Sequence, residues 1–598
     1  MKKAMIIVMV CILTLLTLFG CEKQEGSDEI ISSADFETGF LNTGATDALG
    51  RKYYSVSGYQ KDKYVGLFYF EWLGQHNSDG IYDIQKMLDE GDETDVYGTN
   101  NINAFYYFSK PLYGYYNSVD EWVVRKHVEL FMLAGIDFLG IDCTNAYIYE
   151  NSVEVLLKVL KEYSDEGYNV PKLTFLTNTR SNQTVKTLYN QYYKDGKYDN
   201  LWFRGNGEKP WLIAKTTENG NVLDEKYQSY FYLRPAQWPN NPPIKTTENF
   251  PWISWNRPQE IYTNSEVGSI VNVSVSQHPG ENTGIHLSES VKNSDVYNRN
   301  WGRGYSSITK QNNKDNIYSG TNFEEEWKTA LDSENDVKLV FVTGWNEWVA
   351  QKQVANNKGY FVDTFNTEFS RDIEMTEGQY LDNYYLQLVR NIREYKGISN
   401  ESSDSFGNKT INIAGKLSQW NDIEAVYKDI DSDTKARLAT NFDSSETLEN
   451  KTGRNDFTEI RVASDNENLT FLIACKDDIT DYSGGTNWMN LFIGTGSDEG
   501  WEGLNYVINR KPKEKTTELE KITQNGFEKV GDVNYNLKGK YMQIQIPLNN
   551  LNIGNGKFTI RFKACDNMQK ELDVSELYIN GDSAPLGRVM YLYSSDKK

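Results

Sequence analysis

The stretch Val337–Trp348, VKLVFVTGWNEW, narrows the choice of folds more than any other part of the chain. It opens as an apolar run rich in β-branched residues, the pattern of a strand buried on both faces. It then breaks at Gly344 into Trp345-Asn346-Glu347-Trp348, so a carboxylate and an amide stand between two indoles where a core strand meets solvent. In a (β/α) barrel the carboxyl end of a strand is where reactive groups sit, and a carboxyl walled by aromatics has its pKa raised by desolvation. The plainer reading is a loop carboxylate beside two core tryptophans, but charge at the end of a core strand needs a reason.

From Tyr53 to Gly397 strand-like and helix-like segments alternate. Strands are expected at Tyr64–Trp72, Ile136–Asp142, Lys172–Thr179, Trp211–Lys215, Tyr230–Trp238 and Ser269–His278, besides the run at Val337. Helices are expected after capping boxes at Ser118/Glu121, Thr321/Glu324 and Thr376/Gln379, the first closed by Gly135. Alternation of this kind argues for a parallel sheet with helical crossovers. Seven strands are visible and the eighth is ambiguous, so residues 51–397 read as a (β/α)8 TIM-type barrel, an α/β domain. Ile398–Asn408 is a Ser/Asn/Gly/Asp linker, and beyond it the helical period disappears. Short runs at Phe457–Ala463, Leu469–Lys476, Met489–Gly494, Asn505–Ile508, Met542–Ile546 and Phe558–Ala564 make 409–598 an all-β sandwich domain.

The chain opens with Lys2 and Lys3, a short apolar run and Leu18-Phe19-Gly20-Cys21. That is the make-up of a secretory signal over 1–20, with a lipobox-like end that would make Cys21 the lipidated first residue. An uncleaved anchor helix is the alternative. Residues 21–50 are polar and read as a flexible tether, so the expected place is the cell surface or the periplasmic face of a bacterial membrane, with membrane contact only through the lipid anchor. A net charge of −22 speaks against a nucleic-acid partner, whose phosphates need basic groups. The 40 Tyr and 14 Trp are amphipathic rings suited to stacking on sugars, though large exported domains are often aromatic-rich. With only 4 His and no HxxH spacing a catalytic zinc is not expected, and neither a phosphate-binding nor a dinucleotide-binding glycine loop is present. Cys143, Cys475 and Cys565 are widely spaced; a Cys475–Cys565 disulfide suits an exported protein, and buried thiols are the alternative.

Strand ends supply the candidate site residues: Glu71, Asp142, Asn145, Asn178, Arg234, Gln237, His278 and Glu347. Asp363, Arg371 and Glu374 lie in a segment that follows the Trp345–Trp348 motif closely enough to fold back over it. Glu347 paired with Asp142 or Glu71 matters most, because glycoside hydrolysis needs two carboxyls facing one bond.

Gly114-Tyr115-Tyr116-Asn117-Ser118-Val119-Asp120, Val123-Val124-Arg125-Lys126-His127 and Ala134-Gly135-Ile136-Asp137 resemble the start of glycoside hydrolase family 99 and of related WbsX-type proteins. Trp345-Asn346-Glu347-Trp348 resembles their Asn-Glu-Trp catalytic motif. The resemblance implies a (β/α)8 barrel acting on α-linked, mannan-like polysaccharide or oligosaccharide, without a metal in the chemistry. It implies Glu347 as base or nucleophile; Trp345, Asn346, Trp348 and Tyr115 in the matching motifs, with Asn145, Asn178, Arg234 and His278 at strand ends and Asp363 in the returning segment, are the candidate substrate contacts. In that family a second Glu follows three residues after the first and serves as acid/base, whereas here the position is Ala350. Another carboxylate, Asp142 first and Glu71 second, is therefore required, or the protein binds glycans without cleaving them.

Asn412-Ile413-Ala414-Gly415-Lys416-Leu417 with Trp420, and Asp477-Asp478-Ile479-Thr480, resemble family 9 carbohydrate-binding modules. Trp488 and Trp501 are the candidate sugar platforms, with core packing as the alternative. No cofactor is expected beyond a structural calcium on Asp477 and Asp478, for which a plain turn is the alternative. Because Ile398 and Phe406 are the only apolar anchors in the linker, it cannot by itself fix the two halves; a sandwich that packs on the barrel as a buttress is the other arrangement.

Overall fold

The computed structural model describes residues 30, 42–53, 60–76, 80–239, 241, 248–278, 286–289, 297–397, 405–497, 499–554 and 556–595. The leader, Cys21, most of the tether and most of the linker lie outside the described residues.

All seven expected strands of the first half form: β1 (Tyr64–Tyr69), β2 (Phe138–Cys143), β3 (Lys172–Thr177), β4 (Trp211–Ile213), β5 (Tyr232–Arg234), β6 (Gly268–Ser274) and β7 (Leu339–Trp345). They run parallel in the spatial order β5-β4-β3-β2-β1-β7-β6, so the last strand lies beside the first. Tyr262–Asn264 adds an antiparallel strand outside β6. The two edges of this sheet meet through side chains: the Tyr232 hydroxyl on β5 is 3.0 Å from Ser265 Oγ and 3.4 Å from Asn264 Oδ1. The sheet is therefore curled until its edges touch. Among the described residues no backbone ladder joins β5 to Tyr262–Asn264, so the ladder is not the complete eight-strand ring expected. The chain between those edges carries Pro235, Pro239, Pro242, Pro243, Pro251 and Pro258, and proline cannot donate to a ladder.

Alternate residues on the strands segregate to two faces. Phe68, Phe138, Leu176, Trp211, Ile270 and Phe341 gather on the inside of the curl, while Leu67, Leu139, Phe175, Val271 and Val340 face the helices. Gly140 is glycine because a Cβ there would sit 2.7 Å from Leu176 and 2.8 Å from the Phe341 ring.

The outer layer includes α1 (Glu121–Ala134), α2 (Glu150–Asp165), α3 (Ser181–Leu188), α4 (Thr321–Leu331) and α5 (Asn383–Lys396). None of the three expected capping boxes forms. Asp120 caps α1 by accepting from Trp122 N at 3.2 Å, while Ser118 Oγ accepts from Leu73 N at 3.0 Å. Gly320 precedes α4, and α5 begins after Asp382 rather than at Thr376. Gly135 closes α1 in the left-handed conformation, as read.

The second half is antiparallel β, and its ladder takes in strands the sequence pattern does not single out, among them Thr516–Thr523 and Gly526–Lys538. The ladder folds face to face around a core, since Phe471 meets Phe562 at 5.3 Å although their strands are not neighbours. Trp488 is 2 % and Trp501 9 % exposed, so both belong to the core and neither is a sugar platform. Cys143, Cys475 and Cys565 are buried and free, and the Cys475–Cys565 disulfide does not form. Thr43–Thr46 is not tether: it pairs antiparallel with Met590–Ser595 at the edge of this sheet and with Lys52–Tyr53.

Residues Trp122 to Ala134 of α1 are all buried, because the helix lies between the parallel sheet and the second half. Lys126 Nζ is 2.9 Å from Asp433 Oδ2, and Arg437 pairs with Asp120 at 2.8 Å. Arg588 grips Asp382 through Nε at 2.9 Å and Nη2 at 3.0 Å, and the Tyr578 hydroxyl donates to the same carboxylate at 2.8 Å. Phe442 N donates to Tyr115 O at 2.7 Å. The two halves are locked by buried ion pairs, which is the buttress arrangement and not a loose tethering.

Candidate active site

At its carboxyl end β7 turns sharply, and the following segment folds back over it. Ile373 N donates to Gly344 O at 3.1 Å, and a Cβ on Gly344 would lie 2.9 Å from Arg371 O. Only a glycine lets the two backbones approach so closely. The return brings Arg371 onto Glu347: Nε donates to Oε2 and Nη2 to Oε1, each at 3.2 Å. Arg371 Nη2 also lies 2.8 Å from Asp363 Oδ1, which His278 Nε2 approaches at 3.4 Å. Trp255 packs on the His278 ring at 4.8 Å.

Glu347 is recessed, with 7 % of its side chain exposed, while Asp363 is half-exposed and lines the cleft above it. Burial drives the Glu347 carboxyl up to about 7; Arg371 opposes the rise, and the charges of Asp363 and Asp142 add to it. Asp142, at the end of β2, is raised chiefly by burial; Thr144 N donates to its Oδ1 at 2.9 Å, and the Asp363 charge pushes it further up. Burial also works against the ionised form of Asp363, but Arg371 and His278 outweigh it and hold that carboxyl below its ordinary range. Glu347 and Asp363 thus share Arg371, and Asp142 lies near enough for its charge to act on Glu347 and for that of Asp363 to act on it.

The cleft over this cluster has a volume of about 560 Å³ and is lined by Trp72, His76, Phe105, Asn145, Tyr147, Ala350 and Asp363, among others. His76 stacks on Phe105 at 5.8 Å, meets Tyr147 edge-on at 5.3 Å and lies 2.8 Å from the Tyr149 hydroxyl. Tyr147 is 59 % exposed. His76 and Tyr147 also line a neighbouring hollow that shares Arg180 and Gln183 with a third, where Asn178 and Lys215 lie. The three hollows adjoin one another along the ends of β1 to β4, each sharing two lining residues with the next.

The structure therefore brings Glu347, Asp142, Asp363 and His278 together, with Asn145 beside them and Asn178 in the third hollow. The other candidates go elsewhere. Glu71 is fully buried on the helix side with no hydrogen bond to either carboxylate oxygen; burial raises it far above the usual range, Ser152 opposing, though that hydroxyl goes to the Glu71 backbone carbonyl at 2.7 Å. Trp345 is core, against Phe131 at 4.8 Å. Trp348 stacks on Phe108 at 4.7 Å and donates its indole N–H to Glu374 at 2.5 Å. Glu374 itself is buried between His127 and the Tyr116 hydroxyl, away from the cleft. Asn346 sits in the left-handed region at φ 56° and spends its amide on the backbone of Phe70, accepting from N and donating to O, each at 2.8 Å. Tyr115 bonds Asp83 at 2.8 Å and contacts the second half, and Arg234 is used up at the sheet edge on Glu248 at 2.5 Å. Gln237 is buried and accepts from Asn249 Nδ2 at 3.1 Å. Sequence reasoning missed the linking role of Arg371, whose only signal was a lone base in an acidic run, and it missed His76, Trp72 and Tyr147, which lie in loops.

No family model and no curated protein matches the chain. Among solved structures, the GH99 endo-α-mannosidase of Bacteroides thetaiotaomicron aligns at TM-score 0.28 and 15% identity, covering 56% of this chain and 98% of its own. The same enzyme in complex with bis-tris-propane aligns at TM-score 0.27 and 16% identity, covering 56% and 98%. A glycoside hydrolase-like protein aligns at TM-score 0.29 and 14% identity, covering 61% and 100%. Likenesses at those scores carry no argument about this chain.

Proposed function

We propose that this chain is an exported, lipid-anchored glycoside hydrolase of (β/α)8 type, acting on an α-linked, mannan-like glycan laid along the adjoining hollows. The observation that carries the reading is the pair Glu347 and Asp363 bridged by Arg371, with the Asp142 charge acting on Glu347, beside an aromatic-lined cleft. Rings such as Trp72 and Tyr147 suit the apolar faces of sugars, which leaves the carboxyls to act on the linkage. Asp142, raised by its burial, is the group that protonates the leaving oxygen. Glu347, poised near 7, takes up a proton or attacks the sugar, and Asp142 does the work for which Ala350 offers no group. Asp363 stays ionised and stabilises positive charge developing on the ring.

Glu347→Gln keeps the shape and loses the charge, and is expected to cut turnover of α-mannan oligosaccharides by about 10² or more, measured on a variant that retains the wild-type far-ultraviolet circular dichroism. Full activity in that variant would sink the assignment. A second reading, glycan capture without cleavage, is favoured by one observation: Arg371 occupies both oxygens of a recessed Glu347. Under that reading purified protein retains polysaccharide on a column and releases no reducing ends.

A further inference from the structure

Under the junction of the two halves lies a group of acids that the site above does not use. Single carboxylate oxygens of Asp433, Asp456 and Asp582 lie within 4.8 Å of one another. Asp433 and Asp582 are each 1% exposed, and Oδ1 of each has no hydrogen-bond partner. Their other oxygens are committed, Asp433 Oδ2 to Lys126 Nζ at 2.9 Å and Asp582 Oδ2 to Phe457 N at 2.6 Å. Asp456 is positioned by Ser432 N, which it accepts at 2.9 Å. Two further acids stand close by, both deeply buried: Asp429, whose Oδ2 has no hydrogen-bond partner, and Glu129, whose Oε2 lies 4.0 Å from Lys126 Nζ and whose carboxyl is within hydrogen-bonding reach of Asp433.

The cations present do not balance this group. Asp429, Asp433, Asp456, Asp582 and Glu129 face two ammonium groups, Lys126 and Lys563. Lys563 Nζ is turned to Ser583 Oγ at 3.1 Å and to the Pro585 carbonyl, and not to a carboxylate. Lys476 at the rim is engaged with Asp431 at 2.6 Å. Unpaired buried carboxylates are too costly to persist without a proton or a metal.

We propose that Asp433, Asp456 and Asp582 hold a calcium ion at the junction of the two halves. All the donors are oxygens, which suits a hard cation. Three oxygens that all lie within 4.8 Å of one another can meet on one ion, and an irregular donor set of carboxylates suits calcium, which tolerates flexible geometry, better than magnesium, which demands a near-ideal octahedron. Asp429 stands outside this trio, near enough for its charge to act on Asp582 and Asp433. Because Asp433 also bonds Lys126 on α1, the ion fixes the loops of the second half against the helix that flanks the candidate active site. Asp477 and Asp478, the pair that the sequence singles out, are exposed and take no part.

The test uses the full chain, stripped with chelator and titrated with calcium chloride at pH 7.5. Equilibrium dialysis is expected to give one saturable site per chain, and calcium at 100-fold over Kd to raise the melting temperature by about 3 °C or more. Asp582→Asn is expected to weaken binding about tenfold or more, with Asp477→Asn and Asp478→Asn at wild-type affinity. Because Asp582→Asn removes a buried group, its fold is checked by far-ultraviolet circular dichroism; if it does not fold, the wild-type stoichiometry and the two surface variants decide. Absence of saturable binding to the wild-type chain would overturn the proposal and leave shared protons as what balances the cluster. So would a folded Asp582→Asn with unchanged affinity, or loss of binding in Asp477→Asn.

Discussion

Arg371 bonds Glu347 through Nε and Nη2 and Asp363 through Nη2, and its two partners shift in opposite directions. Burial opposes the charge of both; for Asp363 Arg371 and His278 outweigh it, whereas Glu347 has Arg371 alone against burial and the charges of Asp363 and Asp142, and rises to about 7. Arg371 favours the ionised form of Glu347, so its removal must raise that pKa further. In Arg371→Gln the rising limb of the kcat/KM profile is expected to move up by about 1–3 pH units on the substrate that the wild-type chain cleaves. A limb that stays in place would mean that Glu347 is not the titrating group. Glu347, Asp142 and His278 were legible because each sits at or just after a strand end, where polar residues leave the core, and Asp363 because its acidic segment follows the motif closely enough to fold back over it. The roles of Trp345, Asn346 and Trp348 were not. A motif of four residues says nothing about which of them face a partner hundreds of positions away, and Asn346 serves Phe70.

That Asn346–Phe70 contact acts at the level of elements, riveting the end of β7 to the chain leaving β1. Asn346→Ala would leave a buried N–H and a buried carbonyl without partners and place alanine at positive φ. A loss of about 2–5 kcal/mol is expected in denaturant unfolding, with an unchanged slope. A loss below about 1 kcal/mol would show that water or a shifted strand replaces the amide. Element positions were widely readable: all seven parallel strands follow apolar runs, and six of the antiparallel strands do as well. The hairpin Thr516–Lys538 escaped because its Lys, Glu and Thr residues carry little apolar alternation. The capping boxes failed for a physical reason, since Ser118 and Thr376 find other partners once the chain is folded.

At the scale of the whole molecule the two halves share charge as well as surface. Removing Lys409 to Lys598 would strip the partners from Lys126, Asp120, Asp382 and the buried face of α1. The remaining half is expected to aggregate on purification, because breaking one buried pair already costs about 3–5 kcal/mol. A soluble, monomeric first half with its wild-type melting temperature would contradict this. The docking was illegible in sequence because Lys, Arg and Asp read as solvated residues until the fold pairs them. One pairing also sets a clock. Thr43 is hydrogen-bonded in register with Tyr591, so nearly the whole chain must be made between one strand and its partner. At about 5–20 residues per second that takes about 0.5–2 minutes. Throughout that time Lys52–Tyr53 and later Arg393 can engage this strand, but its other edge lacks Met590–Ser595. The nascent chain thus carries a half-paired strand near its front until synthesis is nearly over, a natural handle for chaperones and the last piece of the second sheet to lock.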